Sequence, residues 1–342
     1  MPPAQPDAAQ GSTQAKLSFL SSAAAFGEAV RVSVEETHMA WVFLAGDFVL
    51  KLKKPVKYPF LDFSTVEARE SACREELRLN RRLASGVYLD VLPLTEAANG
   101  TLAVNGDGKV VDWLVKMRRL PADRMLDALI ERDAVSPREI NVISERLSRF
   151  YQAAVRTLLS PDEYLRIFIE EHERNREILL QVDHNLPRRE LDVAFTAIER
   201  MLSNFRPVLA ARALQDRIVD GHGDLKPEHI CLLDPPVIID CLEFNARLRM
   251  VDPFDELCYL SIECERLGAA WIGKQLIDDV AMRLGDRPPR EVLAFYRVYR
   301  CALRARLSVA HLLEPSIRTP EKWIPRARQY LAIAAAAAKD IA

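Results

Sequence analysis

Two short apolar runs, "ICLL" at 230–233 and "VIID" at 237–240, flank Asp234-Pro235-Pro236 in a stretch that otherwise reads as helix. A connection this short requires antiparallel pairing. The pairing predicts that the loop before Ile230 lies beside the end of the second run, so Asp224 and Asp240 are expected as neighbours. Two carboxylates converging on one rim repel each other unless a proton or cation sits between them. Mg²⁺ suits oxygen ligands and is commonly held by one or two carboxylates together with substrate phosphates. The pair is therefore read as metal-holding, against the plainer alternative of turn residues between buried strands.

Upstream, "AWVFLAGDFVLKLK" at 40–53 holds two β-type runs around a hairpin turn at Ala45-Gly46-Asp47. Alternation places Phe48, Leu50 and Leu52 on one face of the second run and Val49, Lys51 and Lys53 on the other. Lysines on such a face imply either an anionic group opposite them or a protected edge strand. The helix that follows opens at Ser64 with Glu67 in capping-box spacing. On it Val66, Cys73 and Leu77 recur at helical spacing, which puts Glu76 near the apolar side. Glu75 shares a polar flank with Ser71, Arg78 and Arg82. An inward carboxylate is costly without a partner, and Lys51 is the obvious one.

Further strands are expected around 91–94, 102–104 and 110–117, and Pro121 then ends the pattern. The chain is helical from about 123 to 205, with breaks near Ser136-Pro137, Ser160-Pro161 and Leu186-Pro187, and helical again from Phe254. Residues 1–16 are rich in Pro, Ala, Gln and Ser without periodicity and are expected as a flexible tail. The result is an α+β chain with a small N-terminal β-sheet lobe at 17–118, carrying one key helix, and a larger, mainly helical C-terminal lobe at 119–342.

Charge narrows the function classes. Lys plus Arg (47) nearly cancels Asp plus Glu (49), so nothing indicates a nucleic-acid partner. No apolar run approaches the roughly 20 residues that cross a bilayer, and the start lacks the charged and apolar regions of a secretory signal. A cytoplasmic protein without a membrane partner is expected. The 6 cysteines form no C-x-x-C pair and are read as small buried hydrophobes. His172, His184 and His311 stand alone, with nothing suggesting ligation.

The segments "HGDLKPEH" and "IIDCLEF" resemble the catalytic and metal-binding loops of protein-kinase-like phosphotransferases, particularly the aminoglycoside phosphotransferase family. "VLKLKKP" resembles its lysine strand, "REELRLNRRL" the helix with the paired Glu, and "VDPFDELCYL" the helix start after the metal Asp. With "ETHMAWVFLAGD", "FLDFS", "VKMRRLP" and "DCLEFN", the chain is most similar to a bacterial branch of that family. Some members of the branch also carry a C-terminal P-loop ATPase domain. No G-x-x-x-x-G-K-[ST] occurs here, so the stand-alone form is expected.

The resemblance implies a bilobal protein-kinase-like fold and an ATP-dependent phosphotransferase acting on a hydroxyl of a small molecule. Such chemistry rests on positioning and charge neutralisation. Asp224 would orient the acceptor hydroxyl and accept its proton, and Lys226 would lie against the transferring phosphate. Asp240 would hold Mg²⁺. Lys51 would contact the phosphates with Glu76 fixing its ammonium. Val49 would cover the adenine, with Met117 to Leu120 as the hinge. His222 and Asp255 would support the catalytic loop, Asp255 from a helix N-terminus. Glu243 and Asn245 lie close enough to Asp240 to touch the acceptor or the groups behind it. Arg300 and Arg304, one turn apart, either greet an acidic acceptor or form, with Arg306, a solvated basic face.

Two departures stand out. The kinase pattern expects a metal-binding Asn five residues after the catalytic Asp, and this chain has His229. Imidazole suits transition metals better than Mg²⁺, so altered Mg²⁺ binding, use of Mn²⁺, and a non-catalytic site all stay open. "VEETHMAWVF" contains no Gly, so no Gly-rich flap covers the phosphates; Thr37 or His38 would stand there. Both departures favour the alternative of a kinase-like module that binds nucleotide or a partner without transfer. A protein-directed kinase and a metal-dependent hydrolase built on His222, Asp224, His229 and Asp240 rank below these.

Overall fold

The computed structural model describes residues 8–27, 30–58, 61–181, 185–313 and 319–341. The chain divides into two compact units, Met1–Pro121 with Ile238–Asn245 and Ala122–Val237 with Ala246–Ala342. His184 and residues 1–7 lie outside the described residues.

The first unit starts with helix α1 (Ala8–Leu20) and continues through strands β1 (Val32–Glu36), β2 (Ala40–Ala45) and β3 (Phe48–Lys53). Short strands β4 (Lys57–Tyr58) and β5 (Leu61–Asp62) precede helix α2 (Val66–Ala84). Strands β6 (Tyr88–Glu96), β7 (Leu102–Val104) and β8 (Lys109–Arg118) complete the unit. Six strands form one antiparallel sheet in the order β1-β2-β3-β8-β6-β7. The lysine strand β3 is therefore interior, paired on both sides, and the edge-strand reading of its lysines is excluded. Leu50 and Leu52 turn to a core shared with Phe43, Leu94, Leu114, Leu20 and Ala25. Lys51 and Lys53 turn to the other face, as period-two alternation requires.

That core corrects the expected tail for residues 8–16. Helix α1 runs over Ala8–Leu20, and Leu20 is fully buried against the sheet with Leu17 and Phe19 packed beside it. Lys16 Nζ donates to the Asp112 carboxylate at 2.8 Å and to the Val111 carbonyl at 2.9 Å. The polar start of α1 hides this, because its apolar residues fall only in the last turns. A sheet face bearing Phe43, Leu50 and Leu52 must be covered, and the N-terminal helix supplies the cover.

The cap of α2 also lies one residue later than expected. Thr65 Oγ1 accepts from the Ala68 N–H at 3.1 Å, while Ser64 Oγ donates to Asp62 at 2.6 Å. Inward on α2 are Arg69, Cys73, Glu76, Leu79 and Asn80, all buried. Glu75 instead pairs with Arg78 at 2.7 Å on the solvated flank.

Helices build most of the second unit: α3 (Leu126–Glu131), α4 (Pro137–Ala153), α5 (Pro161–Gln181), α6 (Arg188–Ser203) and α7 (Arg206–Leu214). The proline breaks fall at their starts, with Ser136 closing a full capping box on α4. Four strands of two residues each follow, β9 (Val219–Asp220), β10 (Ile230–Cys231), β11 (Val237–Ile238) and β12 (Met250–Val251). The predicted runs 230–233 and 237–240 are thus strand over only part of their length. Helices α8 (Pro253–Arg266), α9 (Ala270–Leu284), α10 (Arg290–Ala310) and α11 (Trp323–Ala337) close the unit. All 6 cysteines are buried and free. Among the described residues no helix is long and apolar enough to cross a membrane.

Leu20→Ala is expected to lower stability by about 2–5 kcal/mol, read from denaturant unfolding of the full chain. A change within roughly 0.5 kcal/mol, as at a surface position, would return the N-terminal segment to the status of a tail.

Candidate active site

In the first unit a chain of opposite charges runs from the sheet to helix α2 and to the returning segment 240–243. Lys51 Nζ donates to Glu76 Oε1 and to Asp240 Oδ1, both at 2.8 Å. Glu76, fully buried, gives its second oxygen to Lys53 Nζ at 2.6 Å. Lys53, itself buried, also donates to Glu243. Burial works against the charge on Glu76, but the two ammonium groups outweigh it and hold the carboxyl below its usual range. Burial likewise opposes the Lys51 ammonium, and Asp240 and then Glu76 more than compensate, raising its pKa. At Glu243 burial, with the repulsion of Glu76, outweighs the attraction of Lys53 and Lys51, and its pKa is raised.

Asp240 has φ +61°, in the left-handed region that non-glycine residues rarely adopt. Its N–H donates to the Tyr88 hydroxyl at 3.1 Å, and the next N–H, of Cys241, donates to Asn80 Oδ1 at 2.8 Å. The Asp240 side chain is 44% exposed, so a carboxylate tied to Lys51 still meets solvent. Val49 pairs with Met117 across β3 and β8, and Met117 and Leu120 are half-buried at the end of the sheet. The Glu243 carboxylate is engaged by Lys53, which also holds Glu76. Asn245 is half-buried in the same returning segment.

In the second unit the loop 221–229 is held from below. Gly221 passes so close to helix α8 that a Cβ there would meet Val251 at 2.5 Å and Glu256 at 2.9 Å. Gly223 has φ +86°. The buried Glu256 accepts the N–H groups of His222, at 2.8 Å, and of Gly223, and also the Tyr151 hydroxyl at 3.0 Å. His222, fully buried, accepts the Asp224 N–H on Nδ1 at 3.3 Å. Asp224 is partly exposed. Tyr259 donates its hydroxyl to Asp224 Oδ1 at 3.0 Å, and Lys226 Nζ lies 3.1 Å from Oδ2. His229 Nδ1 bonds the Asp224 carbonyl at 2.9 Å. A carbonyl only accepts, so Nδ1 is the donor in this bond.

Two expectations are corrected here. Asp255 does not brace the loop directly; it pairs in two bonds with Arg300, at 2.7 and 2.6 Å, and the next residue, Glu256, holds the loop instead. Arg300 and Arg304 form neither a solvated face nor an acceptor site. Arg304 pairs with Glu263 at 2.8 Å, and both guanidinium groups lie over the Tyr259 ring, at 5.5 and 5.6 Å. Asp255 and the arginines thus act on Asp224 at one remove, by fixing Tyr259. Arg306 pairs with Glu171 at 2.6 Å. The turn between β1 and β2 closes through Thr37 Oγ1, which donates to the Ala40 carbonyl and accepts its N–H, both at 3.0 Å. Elsewhere His172 pairs with Glu199 at 3.4 Å and His311 stacks on Trp323.

Among the described residues no three His, Cys, Asp or Glu side chains gather into a preformed metal cage. A Mg²⁺ ion bound by one carboxylate plus phosphates and water is a fit for the half-exposed Asp240.

No protein-family model matches the chain. Uncharacterized proteins of Mycobacterium tuberculosis and Mycobacterium bovis are 34% identical over 283 residues, 81% of this chain and 54% of theirs. The chain thus spans about half the length of the curated relatives it matches. Among solved structures, a choline/ethanolamine kinase family protein from Mesorhizobium loti matches at 17% identity and TM-score 0.51, covering 96% of this chain and 99% of that one. The GDP complex of aminoglycoside 2'-phosphotransferase-IIIa matches at 16% and 0.52, covering 97% and 99%. A thermostable mutant of aminoglycoside phosphotransferase APH(4)-Ia, in ternary complex with AMP-PNP and hygromycin B, matches at 14% and 0.54, covering 94% and 97%. The chain has the aminoglycoside phosphotransferase fold. Within this phosphotransferase fold the sequence motifs had indicated Lys51, Glu76, Asp224 and Asp240; they had not indicated Lys53, Glu256 and Tyr259. Lys53 was visible as the second lysine on the face of Lys51, whereas Glu256 and Tyr259 carried no local signal.

Burial pushes the Glu256 carboxyl up to about 7, against the N–H donors of Gly223 and His222 and the Tyr151 hydroxyl. Its folded pKa lies above the unfolded value of about 4.3. The folded state then holds the proton longer, and this group's stabilisation is full below about 4.3 and lost as pH rises to about 7. Wild type minus Glu256→Gln unfolding free energy should fall by about 3 kcal/mol across that window and level off above it. A flat difference in denaturant titrations from pH 4 to pH 8 would refute the shift.

Proposed function

We propose that the protein is an ATP-dependent phosphotransferase that moves the γ-phosphate to a hydroxyl of a small molecule. The observation that carries this reading is the Lys51 ammonium shared at 2.8 Å between Glu76 and Asp240, groups drawn from a strand, a helix and a segment far along the chain. A buried carboxylate fixing a lysine beside a half-exposed carboxylate suits a polyphosphate and its cation better than it suits stability alone. The solved proteins of this fold, named as phosphotransferases and kinase family members and including GDP and AMP-PNP complexes, support the same reading.

In this mechanism Lys51 binds the nonreacting phosphates, with Glu76 fixing its direction, and Val49, Met117 and Leu120 receive the base. Asp240 would hold Mg²⁺, which when bound would neutralise phosphate charge. Asp224 orients the acceptor hydroxyl and takes its proton. The Tyr259 hydroxyl on Oδ1 and the Lys226 ammonium near Oδ2 fix the carboxylate's rotation, so the lone pair that accepts the proton has a set direction. Lys226 then serves the charge of the transferring group. His229, whose Nδ1 lies 2.9 Å from the Asp224 carbonyl, stands where the kinase pattern has a metal-binding Asn, and an imidazole there favours Mn²⁺ as a substitute for Mg²⁺.

A second reading, a nucleotide- or partner-binding module without transfer, is favoured by His229 and by the Gly-free turn closed through Thr37. Calorimetry with ATP in Mg²⁺, in Mn²⁺ and without metal, followed by ATP turnover, separates the two. Asp224→Asn is expected to lower turnover by about 10²-fold or more with nucleotide affinity nearly unchanged, and Asp240→Ala to weaken metal-dependent ATP binding. Normal turnover in Asp224→Asn would overturn the assigned base. His229→Asn should raise Mg²⁺-supported turnover if the imidazole limits metal binding; a loss would give the imidazole its own task.

A further inference from the structure

Glu76 needs one lysine to hold Lys51 in place, yet the structure supplies two, and the second is tied onward. Lys53 is 2% exposed and bridges Glu76 to Glu243, whose side chain is 10% exposed. Glu243 lies three residues beyond Asp240, in the segment that returns to the first unit. That segment carries Asp240 in a left-handed conformation, which persists in a non-glycine residue only when its surroundings hold it. Its ties are Lys51 on the Asp240 carboxylate, Tyr88 on the Asp240 N–H, Asn80 on the Cys241 N–H, and Lys53 on Glu243. Arg82 also reaches Cys241 Sγ at 3.1 Å.

The first of these ties is the one a polyphosphate would loosen, since the Lys51 ammonium must then be shared with phosphate oxygens. Without Lys53, that sharing would leave Glu76 as a poorly compensated buried carboxylate, a costly state. Lys53 keeps Glu76 paired and at the same time anchors the segment from its far side.

We propose that Lys53 and Glu243 are positioning residues that clamp the 240–243 segment against strand β3 and helix α2, holding Asp240 in place when Lys51 engages the nucleotide. The consequence for catalysis rests on the phosphotransferase reading; the clamp itself does not. Cys241, 2% exposed and in no disulfide, is a native reporter inside the clamped segment.

The test is thiol labelling of the native full-length chain, followed residue by residue by mass spectrometry, in wild type, Glu243→Ala and Glu243→Gln. Loss of a charged hydrogen bond predicts Cys241 labelling faster by about tenfold in Glu243→Ala. An intermediate rate is expected in Glu243→Gln, which keeps the length and an acceptor. Cys258, Cys264 and Cys301, all in the second unit, should label at the wild-type rate. Calorimetry on the same variants should show ATP affinity weakened in the presence of metal and unchanged without it. Cys241 labelling at the wild-type rate in both variants would overturn the clamp, as would equal acceleration at all four cysteines, which is global loosening. A wild-type protein that binds no ATP would sink the phosphotransferase reading, while the labelling result would still decide the clamp.

Discussion

The first unit is organised around a carboxylate that cannot stand alone. Glu76 is fully buried, and an ionised carboxylate in that setting is tolerable only with cations in contact. Lys51 and Lys53 each take one of its oxygens. That requirement sets the rotation of α2 and the facing of β3. β3 itself lies inside the sheet, paired with β2 and β8. The opposite face of the same strand is purely apolar and draws α1 over it.

In the second unit the comparable constraint is the start of helix α8. Asp252 caps the helix at the Phe254 N–H and is itself held by Arg212 and by the Tyr296 hydroxyl. With the first turn pinned, Asp255 and Glu256 diverge to different duties. One grips Arg300, and the other gathers the N–H groups of the loop that ends in Asp224. Tyr259, one turn on, reaches Asp224 itself. The Asp224 carboxylate is thus oriented by a helix whose own position is fixed by buried ion pairs. Such pairs contribute little net stability but are costly to break singly, so they favour one arrangement over its neighbours.

Much of this was legible beforehand. Alternation along 48–53 separated the lysines from the leucines, and helical spacing on 66–83 turned Glu76 inward and left Glu75 outside. The proline breaks marked the helix starts at 137, 161 and 188. The misreadings share one cause, which is that the deciding partner lies far along the chain. Arg300 and Arg304 look like a solvated pair until Asp255 and Glu263 arrive from another helix. The N-terminal segment looks like a tail until a bare sheet face requires cover. For Glu243 the sequence left an acceptor contact and a place behind it both open, because Lys53, its partner, lies 190 positions earlier.

What the sequence determined by itself was periodicity and the order of the chemistry-bearing motifs, because both depend on local backbone geometry and on the spacing of residue types. Beyond the expected Lys51–Glu76 pair, tertiary structure decided which charge meets which. Glu256 rather than Asp255 takes the loop because successive residues on a helix point about 100° apart, and only the packed position of α8 says which of the two directions holds the backbone of His222 and Gly223. Likewise, Glu76 serves two lysines because α2 packs on β8 and β6 with Glu76 turned toward β3, a fact that no spacing within either segment contains.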